Sequence, residues 1–239
     1  MSRVLLLRHA QASYLEPDYD KLSAVGEEQA RSLGKYWARH KTAFDRVFSG
    51  PRVRQIDTAR IVGEVARAGG LKLPETVVIE EFDEYDGEAV MKYALPKLLA
   101  SDPGIRNLHE VFLNASPEAD RTKHFQKIVD VIIGRWVAGE LTVPGAESWA
   151  EFTARVNRGL AKIISSAKHG DCSAIFCSGG PIAVAVQRAL HLSTADTLRV
   201  AWMPRNCSYT EFLFSGQRFT LSAFNAFPHL DDASLLTYR

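Results

Sequence analysis

The chain opens on four apolar residues in a row, Val4-Leu5-Leu6-Leu7. A run this short and unbroken predicts a strand buried on both faces, the habit of a central parallel strand. The period then becomes helical. Leu33, Tyr36 and Trp37 recur at helical spacing within Glu27–His40, with Ser23 or Gly26 as the expected cap. The polar stretch 11–24, with Pro17, Asp18 and Asp20, reads as a loop over the end of the first strand. Asp45–Phe48 predicts a second strand. Ile56, Ala59, Ile61, Val62 and Val65 make Arg52–Ala68 a helix that Gly69-Gly70 ends. Thr76–Ile79 predicts a third strand.

Beyond it, Val90–Ala100 and Lys123–Ala138 carry helical spacing. Ser101–Pro117, with two prolines and a glycine, reads as irregular. Phe152, Val156, Leu160, Ile163 and Ile164 form the apolar stripe of a helix over Trp149–Ala167. Cys172–Cys177 predicts a fourth strand. Ser178-Gly179-Gly180-Pro181 turns into a helix over Ile182–Leu190, with Pro181 as a start signal at the first helical position. Ser208–Phe214 and Arg218–Phe224 predict two late strands joined at Ser215-Gly216, and the tail from Asn225 to Arg239 lacks a regular pattern.

Strand and helix alternate along most of this length. That predicts an α/β fold, a three-layer α/β/α sandwich with a largely parallel central sheet. With 239 residues, 46% of them hydrophobic, one sizeable core is expected. Residues 1–239 are therefore read as a single domain, and the helical stretch at about 88–143 as an insertion covering the site.

A net charge of +1 gives no bulk electrostatic case for nucleic acid or an acidic membrane. Cys172, Cys177 and Cys207 are too few and too scattered for a disulfide framework or a zinc site, and they fit a reducing compartment. The first apolar run is too short for a signal peptide, and none approaches a membrane span. A cytoplasmic protein is the expectation.

The candidate chemistry lies at strand ends, where open α/β sheets bind ligands. Arg8 and His9 follow the first strand: a planar cation for a phosphate or carboxylate, and an imidazole that can act as nucleophile or base. Arg52 and Arg54 fall in the first turn of a helix, where the dipole disfavours cations, so an anion is expected beside them. The Ser178-Gly179-Gly180 turn is a second potential anion cradle. Glu80, Glu81, Asp83, Glu84 and Asp86 crowd the end of the third strand. If they converge, at least one is pushed to a raised pKa and can serve as a general acid. In a parallel sheet these ends share one edge. Guanidiniums, an imidazole and a helix N-terminus together suit a phosphoryl dianion.

Taken together, these residues resemble the histidine phosphatase superfamily, the phosphoglycerate mutase-like fold, over nearly the whole chain. Arg8-His9 is similar to its Arg-His-Gly signature, with Ala10 in place of glycine. Leu22-Ser23 through Gly26, Gln29-Ala30 and Leu33-Gly34 resembles its Leu-Thr-x-x-Gly-x-x-Gln-Ala helix. Ser49-Gly50-Pro51 with Arg54 and Thr58-Ala59 resembles its Ser-Ser-Pro segment, with Asp57 where glutamine is usual. Gly145 to Ser148 with Arg155 fits its Gly-Glu-Ser…Arg helix.

The resemblance implies a metal-independent phosphatase. His9 attacks phosphorus and becomes a phosphohistidine. Arg8 and Arg54 hold the phosphoryl oxygens, with Ser178 and Gly179 beside them. Glu84, in a Glu-Tyr-Asp context, protonates the leaving alcohol and then activates water. No metal or cofactor is implied. The implied partner is a small phosphorylated substrate or a phosphoprotein.

One departure stands out: Ser178 occupies the place of the family's second histidine. Serine is neutral and donates one hydrogen bond, and losing a charged contact to a transition state costs on the order of 10²–10³ in rate. The sequence therefore leaves open a phosphate-binding or regulatory module of the same fold, and a phosphoglycerate mutase-like phosphotransferase. Arg106, His109, Arg121 and Lys123 are candidates for a second anionic group of the substrate, or form a solvated face. Neither the substrate nor the oligomeric state is legible.

Overall fold

The structure, a computed structural model, describes residues 1–13 and 20–238. Pro17 and Asp18 of the expected loop, and Arg239 of the tail, lie outside these residues. The chain divides into two compact units, one built from residues 1–84 and 155–239, the other from residues 85–154.

The first unit holds a six-stranded sheet among the described residues: β1 (Ser2–Arg8), β2 (Arg46–Ser49), β3 (Thr76–Val78), β4 (Cys172–Cys177), β5 (Tyr209–Ser215) and β6 (Arg218–Ala226). Their order is β3-β2-β4-β1-β5-β6. The first three neighbouring pairs run parallel, and β5 and β6 complete the sheet antiparallel. The apolar run does form a central strand. Val4, Leu6 and Leu7 have no exposure at all, and each such side chain contributes about 2 kcal/mol by leaving water.

Helices α1 (Ala24–His40) and α2 (Val53–Ala68) follow β1 and β2. Ser23 caps α1, its hydroxyl accepting from the Gly26 backbone N–H at 3.0 Å. Leu33 and Trp37 of α1, Ile61 and Val62 of α2, and Leu5, Leu7, Ala174 and Phe176 of the sheet share one core cluster. The alternate residues Val4, Leu6 and Ile175, equally buried, face the other way. There α7 (Gly179–Leu190) packs on β1 and β6. The result is the expected three-layer α/β/α arrangement.

The second unit is helical: α3 (Gly87–Ser101), α4 (Pro103–Asn114), α5 (Glu118–Val137) and the first turns of α6 (Trp149–Ser165). The expectation of an irregular Ser101–Pro117 fails here. Asp102 caps α4 by accepting from the Gly104 and Ile105 N–H groups, and Pro103 is the first helical residue. At that position proline starts a helix rather than breaking one. Arg106 donates to the carbonyls of Leu99 and Ala100 at the end of α3.

The remaining differences are smaller. A further helix, α8 (Thr194–Ala201), precedes β5, and β6 runs on to Ala226. Pro181 is the third residue of α7, not the first. Its missing N–H still costs nothing there, because the first-turn amides have no partner within the helix.

Candidate active site

β1 delivers His9 one residue beyond its last register pair, Arg8 with Cys177. The loop that follows is tied at every backbone group that could let it drift. The His9 N–H donates to the Cys177 carbonyl at 2.8 Å, and the His9 carbonyl accepts from Cys207 N at 3.2 Å and from Asn206 Nδ2 at 3.4 Å. The Ala10 N–H donates to Thr58 Oγ1 at 3.0 Å, and the Gln11 N–H to Gln29 Oε1 at 2.9 Å. The imidazole is thus placed by its frame before any ligand arrives.

Its two nitrogens have distinct partners. Nδ1 lies 2.7 Å from the Ala10 carbonyl, and Nε2 receives the Arg54 Nε–H at 3.1 Å. A carbonyl can only accept and a guanidinium can only donate. Nδ1 therefore carries the proton, and Nε2 bears the lone pair. Burial, then the charges of Arg54 and Arg8, hold the pKa of His9 well below the usual histidine value, against a smaller upward pull from the Ala10 carbonyl. The ring is neutral at physiological pH, as a nitrogen nucleophile must be.

The cations around it already have partners. Arg54, 7% exposed, donates from Nη1 to Asp20 at 2.6 Å, and the other Asp20 oxygen accepts the Val53 N–H at 2.9 Å. Arg52, at the cap of α2, donates to Asp83 at 2.5 Å. Arg8 donates to the Pro204 carbonyl. Anions do sit at the basic first turn of α2, and they are the chain's own carboxylates.

The Ser178-Gly-Gly turn behaves alike: the Gly180 N–H donates to Glu84 Oε2 at 2.9 Å. Glu84 therefore sits at the N-terminus of α7, where the helix dipole favours negative charge. Gly179 has a steric reason to be glycine, since a Cβ there would lie 2.7 Å from the Ala201 carbonyl oxygen. Ser178 is the backbone cap residue of α7, yet its side chain does not cap. Instead its Oγ accepts from Gln55 Nε2 at 2.8 Å.

The acidic cluster does not converge. Glu81 pairs with Lys162, Asp83 with Arg52 and Asp86 with the Ala89 N–H, while Glu84 alone takes the α7 N-terminus. Separate partners thus draw the members of the run apart. Glu81 is held below the ordinary carboxylate value by Lys162.

Arg155 stabilises the turn that carries these acids. Its Nη1 donates to the carbonyls of Glu80, Glu81 and Asp83 at 3.1–3.2 Å. The structure thus brings His9, Arg54, Glu84 and Ser178 to one edge of the sheet, with the Arg8 charge felt at His9. Asp20, Gln55 and Thr58 belong to the same site and were not among the residues expected in it.

The fold has counterparts among known proteins. A model of the histidine phosphatase superfamily (branch 1) matches residues 4–104 and 105–226. The chain belongs to that superfamily. Among solved structures, it is similar to a phosphoglycerate mutase from Bacillus anthracis, at 18% identity over 96% of this chain and 95% of that one, with a TM-score of 0.61. A phosphoserine phosphatase mutant from Entamoeba histolytica, in complex with phosphoserine, matches at 17% identity over 96% and 100%, TM-score 0.62. A mycobacterial glucosyl-3-phosphoglycerate phosphatase matches at 22% over 94% and 98%, TM-score 0.60. At these identities the likeness is one of fold. No curated protein matches the chain. Among the described residues no helix is long and apolar enough to cross a membrane, and no cluster of three His, Cys, Asp or Glu could hold a metal ion.

Proposed function

We propose that the chain is a metal-independent phosphatase that hydrolyses phosphoric monoesters through a phosphohistidine on His9. The observation that carries this reading is the fixed tautomer of His9, with its Nε2 lone pair beside Arg54.

In the first step Nε2 attacks phosphorus as the bond from phosphorus to the ester oxygen breaks. Arg8 and Arg54 neutralise the phosphoryl oxygens, Arg54 exchanging Asp20 for substrate. Glu84 gives its proton to the departing alkoxide. It acquires that proton when the phosphoryl dianion arrives, because a like charge nearby raises the proton affinity of a carboxylate. In the second step Glu84, again ionised, takes a proton from water. The water oxygen attacks phosphorus, the nitrogen–phosphorus bond breaks, and inorganic phosphate leaves.

The substrate is a small phosphate ester or a phosphoprotein. The three cysteines are free and buried, which supports a reducing, cytoplasmic setting.

The test is phosphate release from an aryl phosphate in the presence of chelator. His9→Ala should abolish it, and the natural chain should carry an acid-labile phosphoryl group during turnover. Full activity in His9→Ala sinks the reading. A second reading, a phosphate-binding module with little turnover, draws on the neutral Ser178 and on the Asp20 carboxylate already paired with Arg54. It expects phosphate binding with no release from any ester.

A further inference from the structure

We propose that Gln55 is a positioning residue that turns the Ser178 hydroxyl into an obligatory hydrogen-bond donor toward the phosphoryl group. The inference rests on the reading that a phosphoryl group binds beside His9.

Gln55 lies in the first turn of α2 with no exposure to solvent. Its Oε1 accepts the Arg52 backbone N–H at 3.2 Å. That contact decides which way the amide faces, because an N–H cannot be paired with the NH₂ end. The NH₂ group then points to Ser178 Oγ at 2.8 Å and to the Phe82 carbonyl at 3.5 Å. Gly50 makes room for this arrangement: a Cβ there would lie 2.2 Å from Gln55 Oε1 and 2.6 Å from the Phe82 carbonyl oxygen.

A serine hydroxyl has one hydrogen to give and two lone pairs to receive with. The Gln55 NH₂ fills a lone pair and can accept nothing in return. The hydroxyl hydrogen must therefore go elsewhere, and among the described residues it has no acceptor. Ser178 is 2% exposed, and folded proteins avoid leaving a buried donor without an acceptor.

Its position shows what can take the hydrogen. Ser178 leaves β4 just after Cys177, and His9 leaves β1 just after Arg8, the register partner of Cys177. The two residues thus emerge side by side from neighbouring parallel strands, whose axes lie about 4.8 Å apart. Two residues further on, Gly180 holds Glu84. A phosphoryl group on His9 Nε2 presents oxygens that only accept. The Gln55–Ser178 pair thus supplies a directed donor where an imidazole would add a third positive charge beside Arg8 and Arg54.

The experiment is a double-mutant cycle of Gln55→Met and Ser178→Ala, read by calorimetric binding of inorganic phosphate and by turnover of an aryl phosphate. Each single change should weaken phosphate binding about tenfold, the loss of one hydrogen bond to a charged group. The double variant should bind no worse than Ser178→Ala alone. A purely structural role would make the losses add. Additive losses, or unaltered binding by Gln55→Met, overturn the proposal and leave the phosphatase reading standing. If Gln55→Met does not fold, Gln55→Glu takes its place in the cycle. The carboxylate would draw the hydroxyl to itself, and its cost must again shrink when Ser178 is absent. A chain that binds phosphate with this coupling but releases none from esters supports the proposal while overturning the phosphatase reading. A natural chain that binds no phosphate overturns both.

Discussion

Arg54 gives the hydrogen of its Nε to the Nε2 of His9, 3.1 Å away, so one guanidinium both orients the imidazole and adds to the effect of burial in holding its pKa down. Replacing Arg54 by methionine removes the second-largest influence holding the His9 pKa down. The imidazole should then titrate at higher pH than in the natural chain, still lowered by burial. Histidine proton resonances followed against pH measure this directly. An unchanged titration would show that Arg54 does not govern the ring. Activity should fall by a factor on the order of 10² or more, as expected for the loss of a charged contact to the transition state.

Arg155 is expected to matter without touching substrate. Its three bonds to the carbonyls of Glu80, Glu81 and Asp83 hold the turn that presents Glu84. Arg155→Leu should cost about 2 kcal/mol in urea unfolding, the scale of hydrogen bonds from a charged donor. It should also lower kcat more than it raises KM. Loss of stability with kcat intact would show that Glu84 keeps its place by other means.

Stability should fall on mild acidification, with His229 a main contributor. Burial pushes its pKa down to about 4, against a smaller upward pull from the Cys207 backbone. The unfolded chain titrates its histidines near 6.5 and so binds more protons than the folded one between those values. The stabilisation is complete above about 6.5, declines as pH falls, and is gone below about 4. Its ceiling is roughly 3 kcal/mol, and His9 acts in the same direction. His229→Phe should flatten this slope between pH 7 and 4 in denaturant titrations. A slope as steep as that of the natural chain would assign the effect elsewhere.

Gly26 tests the frame of the nucleophile. A Cβ at this position would lie 2.1 Å from the Gln11 carbonyl oxygen, a backbone atom that also accepts the Ser23 N–H. Neither side can yield cheaply. Gly26→Ala should destabilise the protein by about 2 kcal/mol or more, in the range for overpacking, and should impair turnover by shifting the His9–Gln11 loop. Activity at the natural level would mean that the loop is more forgiving than its hydrogen bonds imply.

What the sequence made legible was local or periodic. The buried run of β1, the apolar stripe of α6 and the strand Cys172–Cys177 announce themselves through spacing alone, and His9 and Arg54 through their place at strand ends. What stayed hidden depends on partners far away in the chain. Gln55 looks like an ordinary polar helix residue until β4 brings Ser178 to it. Arg155 gave a family-like motif but no hint of the three carbonyls it gathers. The acidic run looked like one cluster because sequence cannot show that Lys162, Arg52 and the α7 N-terminus draw its members apart. Pro103 was misleading for a local reason: a proline marks both the end of one helix and the start of another, and only the capping bonds of Asp102 decide which.

The position of β1 in the sheet also governs when the site around His9 can assemble during the protein's own synthesis. Both of its neighbours, β4 and β5, are made long after it. Until then the Val4–Leu7 strand has bare edges on both sides, the kind of surface on which nascent chains pair wrongly with one another. Contacts between such distant segments also make for slow folding. A chain interrupted before Cys172 carries His9, Arg8 and Arg54, yet has no Ser178, no Gly180 to hold Glu84, and no Cys177 carbonyl to anchor the His9 N–H. The site around His9 is therefore assembled only when the late strands arrive, and unfinished chains lack it by topology alone.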